Sequence, residues 1–272
     1  MKKDVLLIND MAGYGKVALS VMIPTLSKTG HRIHNLVSAI VSNTLDYGKF
    51  EILDTTDYMK QTINVWDELN FHFDAIATGF IVDLKQAQLV CSYCHQKASE
   101  GAMILCDPIM GDNGSLYPGM EETRIDAMRV LVKEAMYMIP NYTEACFLSD
   151  LPYEKMASKE SMEEIIKKLH ALNHQSVVIT SVPMDGGHYV CGYDHKRKET
   201  FYLAYDEIDV RLPGTGDIFA SMVLAGLLDG QTLKESAQKA MDVVYDIICR
   251  NKDNEDLFAG VNIEEALEDG SL

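Results

Sequence analysis

The stretch that decides the reading is Arg211–Leu228, RLPGTGDIFASMVLAGLL. Gly214, Thr215, Gly216 and Asp217 run straight into an apolar segment. A glycine-rich turn feeding a helix leaves backbone N–H groups unpaired at the helix start, where the helix dipole adds positive potential. Two readings share that geometry. Thr215 or Asp217 folds back as a local cap, or the amides cradle an anion with Asp217 beside them as a base. The stretch alone leaves both open.

Working outward, short apolar strands alternate with amphipathic helices. Strands are expected at 5–8, 34–41, 75–78, 103–106, 137–139 and 177–180, with an antiparallel pair near 189–193 and 200–204. Helices are expected at 17–28, 56–69, 84–99, 121–133, 218–228 and 233–250, and a further amphipathic one follows a capping-box spacing of Ser161 with Glu164. This order predicts an α/β class, a mostly parallel sheet with helices on both faces. No linker, repeat or low-complexity run interrupts it. The expectation is one domain over 1–272, with 251–272 as an acidic C-terminal tail.

The charge balance narrows the partners. Lys and Arg number 24 against 41 Asp and Glu, a net charge of −17. That opposes a nucleic-acid backbone and an anionic membrane, which clustered Lys and Arg would bind. Positive potential for an anionic ligand must then come from backbone amides and metal ions. The start, MKKDVLLINDMAG, has too short an apolar run for a secretion signal, and no run is long enough to span a membrane. The expected location is the cytoplasm. Cys91-Ser-Tyr-Cys94-His95 matches the spelling of a c-type haem attachment, but its helical spacing reads as a partly buried helix with reduced thiols. His170 and His174 read as a solvated helix end.

In parallel sheets ligands gather at the C-terminal strand ends. After the first strand stands Gly13-x-Gly15-x-x-Ala18, spelled like a dinucleotide fingerprint. The second strand ends in Ser42 and Asn43, without the acid that pattern needs, and Val17 stands where a Walker loop needs Ser or Thr. After the strand at 103–106 come Asp107 and Asp112, two carboxylates suited to Mg²⁺ or simply to a turn. After 137–139 come Asn141 and Glu144, spaced for a metal site or a capping box. After 177–180 come the hydroxyls of Thr180 and Ser181. Together with the opening stretch, these outline a nucleotide–metal site for phosphoryl transfer, which depends on positioning and charge stabilisation.

In the motifs CDPIMGDNGSLY, IPNYTEACFLS, VVITS and PGTGDIFAS, in that order, the chain resembles the pyridoxal/pyridoxamine kinases of the ribokinase-like superfamily. The resemblance runs from about Asp4 to Arg250. It implies a three-layer αβα ribokinase-like fold, usually a homodimer, using ATP with Mg²⁺ and a monovalent cation such as K⁺. It implies Asp217 as the base toward the hydroxymethyl group of a vitamin B6 vitamer, with Gly214, Thr215 and Gly216 as the anion hole. Asp107, Asp112 and Glu144 would hold Mg²⁺, mostly through water. Asn141, Thr180, Ser181 and Asp107 would serve the nucleotide. The substrate side would be Asp10, Val17, Val41, Leu45 and Phe80.

That side departs from the family pattern. Asp10 stands where a serine is common, Leu45 where a threonine is expected, and Phe80 where a tyrosine is expected. A carboxylate at Asp10 favours a cationic substituent, so pyridoxamine is expected above pyridoxal. The competing functions are a hydroxymethylpyrimidine kinase, a vitamer-binding protein without turnover and, more remotely, a dinucleotide-dependent oxidoreductase. A base at Asp217 argues against the non-catalytic one.

Overall fold

The computed structural model describes residues 2–270. Its elements begin with β1 (Asp4–Ala12), α1 (Leu19–Lys28), β2 (Arg32–Val41), β3 (Ile52–Asp54), α2 (Thr56–Glu68), β4 (Ala75–Thr78) and α3 (Leu84–Ser99). Next come β5 (Met103–Cys106), β6 (Gly111–Asp112), β7 (Ser115–Leu116), α4 (Thr123–Leu131), β8 (Tyr137–Met138), α5 (Tyr142–Ser149) and α6 (Lys159–Asn173). The last are β9 (Ser176–Met184), β10 (Gly187–Asp194), β11 (Glu199–Tyr205), α7 (Thr215–Leu228), α8 (Leu233–Asn251) and α9 (Glu264–Asp269). Two compact units result, one of Met1–Val82 with Ile208–Leu272 and one of Asp83–Glu207.

In the first unit the strands lie in the order β4-β1-β2-β3. β1 runs parallel to β4 and β2, and β3 returns antiparallel on β2. Val5, Leu6, Leu7 and Ile8 are all fully buried. Consecutive strand side chains point to opposite faces, so both faces of β1 are covered. β1 extends to Ala12, past the apolar run, because its pairing with β2 resumes after a register shift between Asn9 and Met11. α7 is buried along nearly its whole length, as its lack of a polar stripe requires, and packs against α1 and α8.

The segment after α8 is not the free acidic tail that its composition suggests. Val261, Ile263 and Ala266 are buried. The Lys16 N–H donates to the Ala259 carbonyl at 2.7 Å, and the Asn262 N–H donates to Asn251 Oδ1 at 2.6 Å. Glu255, Asp256, Glu264, Glu265 and Glu268 are exposed, while Val261, Ile263 and Ala266 face in.

In the second unit the order is β11-β10-β9-β8-β5. β5, β8 and β9 are parallel, and β9, β10 and β11 form an antiparallel meander that contains the expected strand pair. α3 carries Cys94 buried and Cys91 half-buried, and all six cysteines are free. Burial pushes the Cys94 thiol well above its ordinary range, which keeps it inert. His174 ends α6 in a left-handed conformation, the helix terminus expected of it. The cap of α6, however, is Ser158 with Ser161, not Ser161 with Glu164. Ser158 is the extended residue before the first turn, and each serine hydroxyl accepts the other's N–H at 3.0 Å. Parallel strands under helices are thus the observed class. No described helix is long and apolar enough to cross a membrane.

Candidate active site

The first unit carries the opening stretch. Gly214 precedes α7 with φ 94°, a left-handed conformation that glycine adopts without strain. A Cβ at Gly214 would also run into the Lys16 carbonyl oxygen. No side chain caps α7. The Thr215 hydroxyl donates backwards to the Leu212 carbonyl at 3.0 Å. The Asp217 carboxylate turns away from its own helix: Oδ2 accepts the Ala18 N–H at 2.8 Å, and Oδ1 accepts Asn9 Nδ2 at 3.3 Å. Among the described residues no acceptor meets the N–H groups of Thr215, Gly216 and Asp217. Space around Gly216 is open. The local-cap reading of the stretch is therefore not what forms, and the amides stay open, the kind of helix start at which anions bind.

The loop spelled like a dinucleotide fingerprint serves this acid instead. Ala18 adopts φ 49° at the start of α1, uncommon for a residue with a Cβ, and its N–H meets Asp217. Burial pushes the Asp217 pKa up to about 6, and the bonds from Ala18 and Asn9 oppose that rise. Asp10 follows Asn9 at the end of β1. Burial first, and the charge of Asp217 second, push its pKa up to about 7. Among the described residues no other side chain bonds the Asp10 carboxylate. Asp217 of α7 and Asp10 near the end of β1 thus lie together as buried acids, and among the described residues no cation is paired to either, an arrangement that favours a positively charged ligand group.

The other substrate-side positions lie in the same unit. Phe80 is buried directly after β4; its N–H donates to Asn9 Oδ1 at 2.7 Å and its carbonyl accepts the Ser38 hydroxyl at 2.6 Å. Val41 is buried at the end of β2, where its carbonyl accepts the Gly13 N–H at 2.7 Å. Val17 and Leu45 are half-buried, the first just before α1 and the second opening a single turn after β2.

The second unit carries the remaining positions. Asp107 directly follows β5 and is half-buried. Asp112 sits in the β6–β7 hairpin, where Oδ1 accepts the Asn113 N–H at 2.8 Å. Asn141 and Glu144 form a reciprocal capping box at the start of α5. Asn141 Oδ1 accepts the Glu144 N–H at 3.0 Å, and Glu144 Oε2 accepts the Asn141 N–H at 2.8 Å. Glu144 Oε1 also accepts the N–H groups of Met110 and Gly111, at 3.0 and 3.4 Å. Glu144 is 2 % exposed. Burial, with a smaller contribution from the Asp112 charge, pushes its pKa up to about 8 against these bonds. Asn141 and Thr180 are brought together by an isolated parallel bridge, while Ser181 is exposed with φ 56° and bonds Tyr205.

Among the described residues no three His, Cys, Asp or Glu side chains stand close enough to hold an ion directly. The donor set still fits a hard cation held through water. Burial and the Asp112 charge disfavour the Glu144 carboxylate, a penalty that a nearby cation would relieve, and Glu144 Oε2 retains acceptor capacity beyond its one bond. Sequence reasoning missed Asn9, the Ala18 N–H and the amides of Met110 and Gly111. Asn9 had a faint signal, a carboxamide closing the apolar run VLLI directly before Asp10. The amides had none, because every residue carries one.

Comparison with known proteins places the chain in a family. A sequence model described as phosphomethylpyrimidine kinase matches residues 23–261. A crystal structure of a Bacteroides thetaiotaomicron protein assigned as a phosphomethylpyrimidine kinase, in a form with pyridoxal, superposes with a TM-score of 0.94. It is 31 % identical, over 100 % of this chain and 96 % of that one. A pyridoxal kinase of Arabidopsis thaliana is 30 % identical over 155 residues, 55 % of this chain and 49 % of the relative. One of Dictyostelium discoideum is 24 % identical over 270 residues, 91 % and 86 % respectively. The match thus spans about half the length of the Arabidopsis relative.

Proposed function

The chain belongs to the phosphomethylpyrimidine kinase family, with the ribokinase-like fold of its structural neighbours, and from that premise we propose that it is an ATP-dependent kinase of a vitamin B6 vitamer. One observation carries the reading. The first-turn amides of α7 lie open beside a buried carboxylate that is bonded by Asn9 and Ala18 rather than by its own helix. Asp217 would take the proton of the substrate hydroxymethyl group. The freed oxygen forms its bond to the γ-phosphorus, and the bond from that phosphorus to the ADP oxygen breaks. The N–H groups of Thr215, Gly216 and Asp217 would donate hydrogen bonds to the oxygens of the transferred phosphoryl, fixed in place before the reaction begins.

Asp112 and Glu144, with Asp107, would hold Mg²⁺ through water, and the ion would neutralise charge on the ATP phosphates. Asn141, Thr180 and Ser181 would face those phosphates. The carbonyl oxygens of Lys16 and Pro213, which converge on Gly260, are the donor type a monovalent cation takes. Phe80, Val41, Val17 and Leu45 would line the substrate ring. Asp10 would read its 4-substituent, and a buried carboxylate without a partner favours the protonated aminomethyl group of pyridoxamine over the aldehyde of pyridoxal.

The reading covers residues 1–272 as one kinase domain, supported by a family match that runs through both units. A homodimer is part of it. Edge strand β3 exposes Leu53 (61 %) directly opposite the exposed Ile40 of β2, an apolar strip that a second copy would cover. Six free cysteines suit a reducing cytoplasm.

A second reading, a hydroxymethylpyrimidine kinase, is favoured by the description of the matching family. A panel of the three B6 vitamers and hydroxymethylpyrimidine, each with ATP and Mg²⁺, separates the two. The expected result is phosphorylated pyridoxamine as the fastest product. Faster turnover of the pyrimidine selects the second reading, and no phosphorylated product at all removes both.

A further inference from the structure

Asn9 ends the apolar run of β1 and is 1 % exposed. A buried carboxamide has two acceptor lone pairs and two N–H donors to satisfy. This one satisfies all four. Oδ1 accepts the N–H groups of Asp10 and Phe80, at 3.0 and 2.7 Å. Nδ2 donates to Asp217 Oδ1 at 3.3 Å and to the Met22 sulfur at 3.4 Å. The orientation is forced, since a flipped amide would set its NH₂ against two N–H donors and its oxygen against a carboxylate. Room for the group is reserved as well: a Cβ at Gly79 would lie 2.5 Å from Asn9 Nδ2 and 2.7 Å from Asn9 Oδ1. The register shift between Asn9 and Met11 is the kind of irregularity that re-aims a side chain beside an active site.

We propose that Asn9 is the positioning residue of this site, a single carboxamide that holds the base Asp217 in fixed register with the substrate wall at Phe80. The proposal rests on the reading of Asp217 as the base. Neither aspartate nor an apolar isostere can replace Asn9. The segment after β4 needs an acceptor and Asp217 needs a donor; an amide presents both at one carbon at any pH, whereas a carboxyl does so only while protonated. Gly79–Phe80 and Asp217 come from separate parts of the chain, so Asn9 ties its own strand and two distant segments into one fixed arrangement.

The same donor tunes the base. Asp217 accepts a proton only when ionised, and the bond from Asn9 favours that form. Among the described residues, Ala18 and Asn9 are the groups that bond Asp217, and Asp10 is the titratable group whose charge acts with it. Removing the Asn9 donor raises the Asp217 pKa, so the acid limb of activity moves to higher pH.

Three variants of the full chain test this. Asn9→Asp keeps an acceptor for the Asp10 and Phe80 amides but turns the donor facing Asp217 into a carboxylate oxygen. Its acid limb in kcat/KM for the vitamer should rise by about one pH unit or more. Turnover at pH 7 should fall roughly tenfold or more, with the Kd for ATP unchanged. Asn9→Ala removes the acceptor as well, so the vitamer KM should rise further. Where one of these fails to fold, the acid limb is read on the other. Asp217→Asn tests the parent reading separately: normal turnover in that variant removes the base, whatever Asn9 does. If Asp217→Asn is inactive while Asn9→Asp and Asn9→Ala keep the wild-type acid limb, Asn9 is a packing residue and the proposal is overturned.

Discussion

Asp217 and Glu144 occupy the same place in two helices. Each is the third residue of its helix, α7 or α5, and each is a buried acid with a raised pKa. Their bonds are opposite. Glu144 folds back on the residue before its helix and closes a capping box with Asn141. Asp217 leaves its own helix uncapped and bonds the chain near residue 9 and at Ala18. The residue before the helix makes the difference. Asn141 has a side chain able to complete the box, whereas Gly214 has none and turns with φ 94°. One amide-rich helix start is thereby satisfied internally, and the other is left open to an anion. An acid three residues into a helix does not by itself reveal its use; the cap residue does.

The sharpest break in this comparison is Asp217→Asn. Turnover should fall ~10²–10⁴-fold while nucleotide binding persists, measured by coupled ADP release and by ATP titration. A variant that keeps its turnover and loses thermal stability instead would make Asp217 a structural acid like Glu144. Next in size is Asp10→Ser, which removes the unpartnered acid beside Asp217. The ratio of kcat/KM for pyridoxamine over pyridoxal should drop by about tenfold, equivalent to ~1.4 kcal/mol of differential contact. An unchanged ratio would show that Asp10 does not meet the amine.

The smallest effects belong to Glu144. Glu144→Gln replaces one acceptor oxygen of the box by an NH₂ group facing a backbone N–H, at a cost of ~1 kcal/mol in a denaturant melt. A simultaneous rise in the Mg²⁺ requirement would mark a second, metal-side role; an unchanged requirement would leave it a cap only. The wild-type pH dependence sharpens the same point. The Glu144 pKa is raised in the folded state to about 8, so its favourable contribution is complete below the unfolded value near 4.5 and is lost as pH rises toward 8. Added Mg²⁺ should flatten that loss if the ion lies near Glu144 and leave the slope unaltered if it does not.

Much of the fold was legible because it is local. The strands at 75–78 and 103–106 and the helix at 84–99 have the bounds their apolar spacing predicts. The α6 cap was a local misreading, Ser158 rather than Ser161, but the larger misses come from partners outside the segment itself. β3 exposes all three of its residues and becomes a strand only by pairing with β2. The 251–270 segment reads as acidic until Val261, Ile263 and Ala266 are seen to be buried. At the site, the glycine turn and the presence of an acid beside it were readable because they lie within four residues. Asn9 was not, since its meaning depends on residues 71 and 208 positions away.

The packing of the Ala259 region against Lys16 has a consequence for synthesis. The first unit is discontinuous, made of Met1–Val82 and Ile208–Leu272, and its early part already contains β1, Asn9 and Ala18. A nascent chain on the ribosome therefore holds these groups idle while the whole of Asp83–Glu207 is made. The Asp217 and Ala259 partners emerge only afterwards, and closure over so long a loop is slow compared with local helix formation. The start of α7 thus joins Asn9 and Ala18 late, and a polypeptide that ends between residues 228 and 259 would have its second unit complete while the Lys16 N–H lacks its Ala259 acceptor.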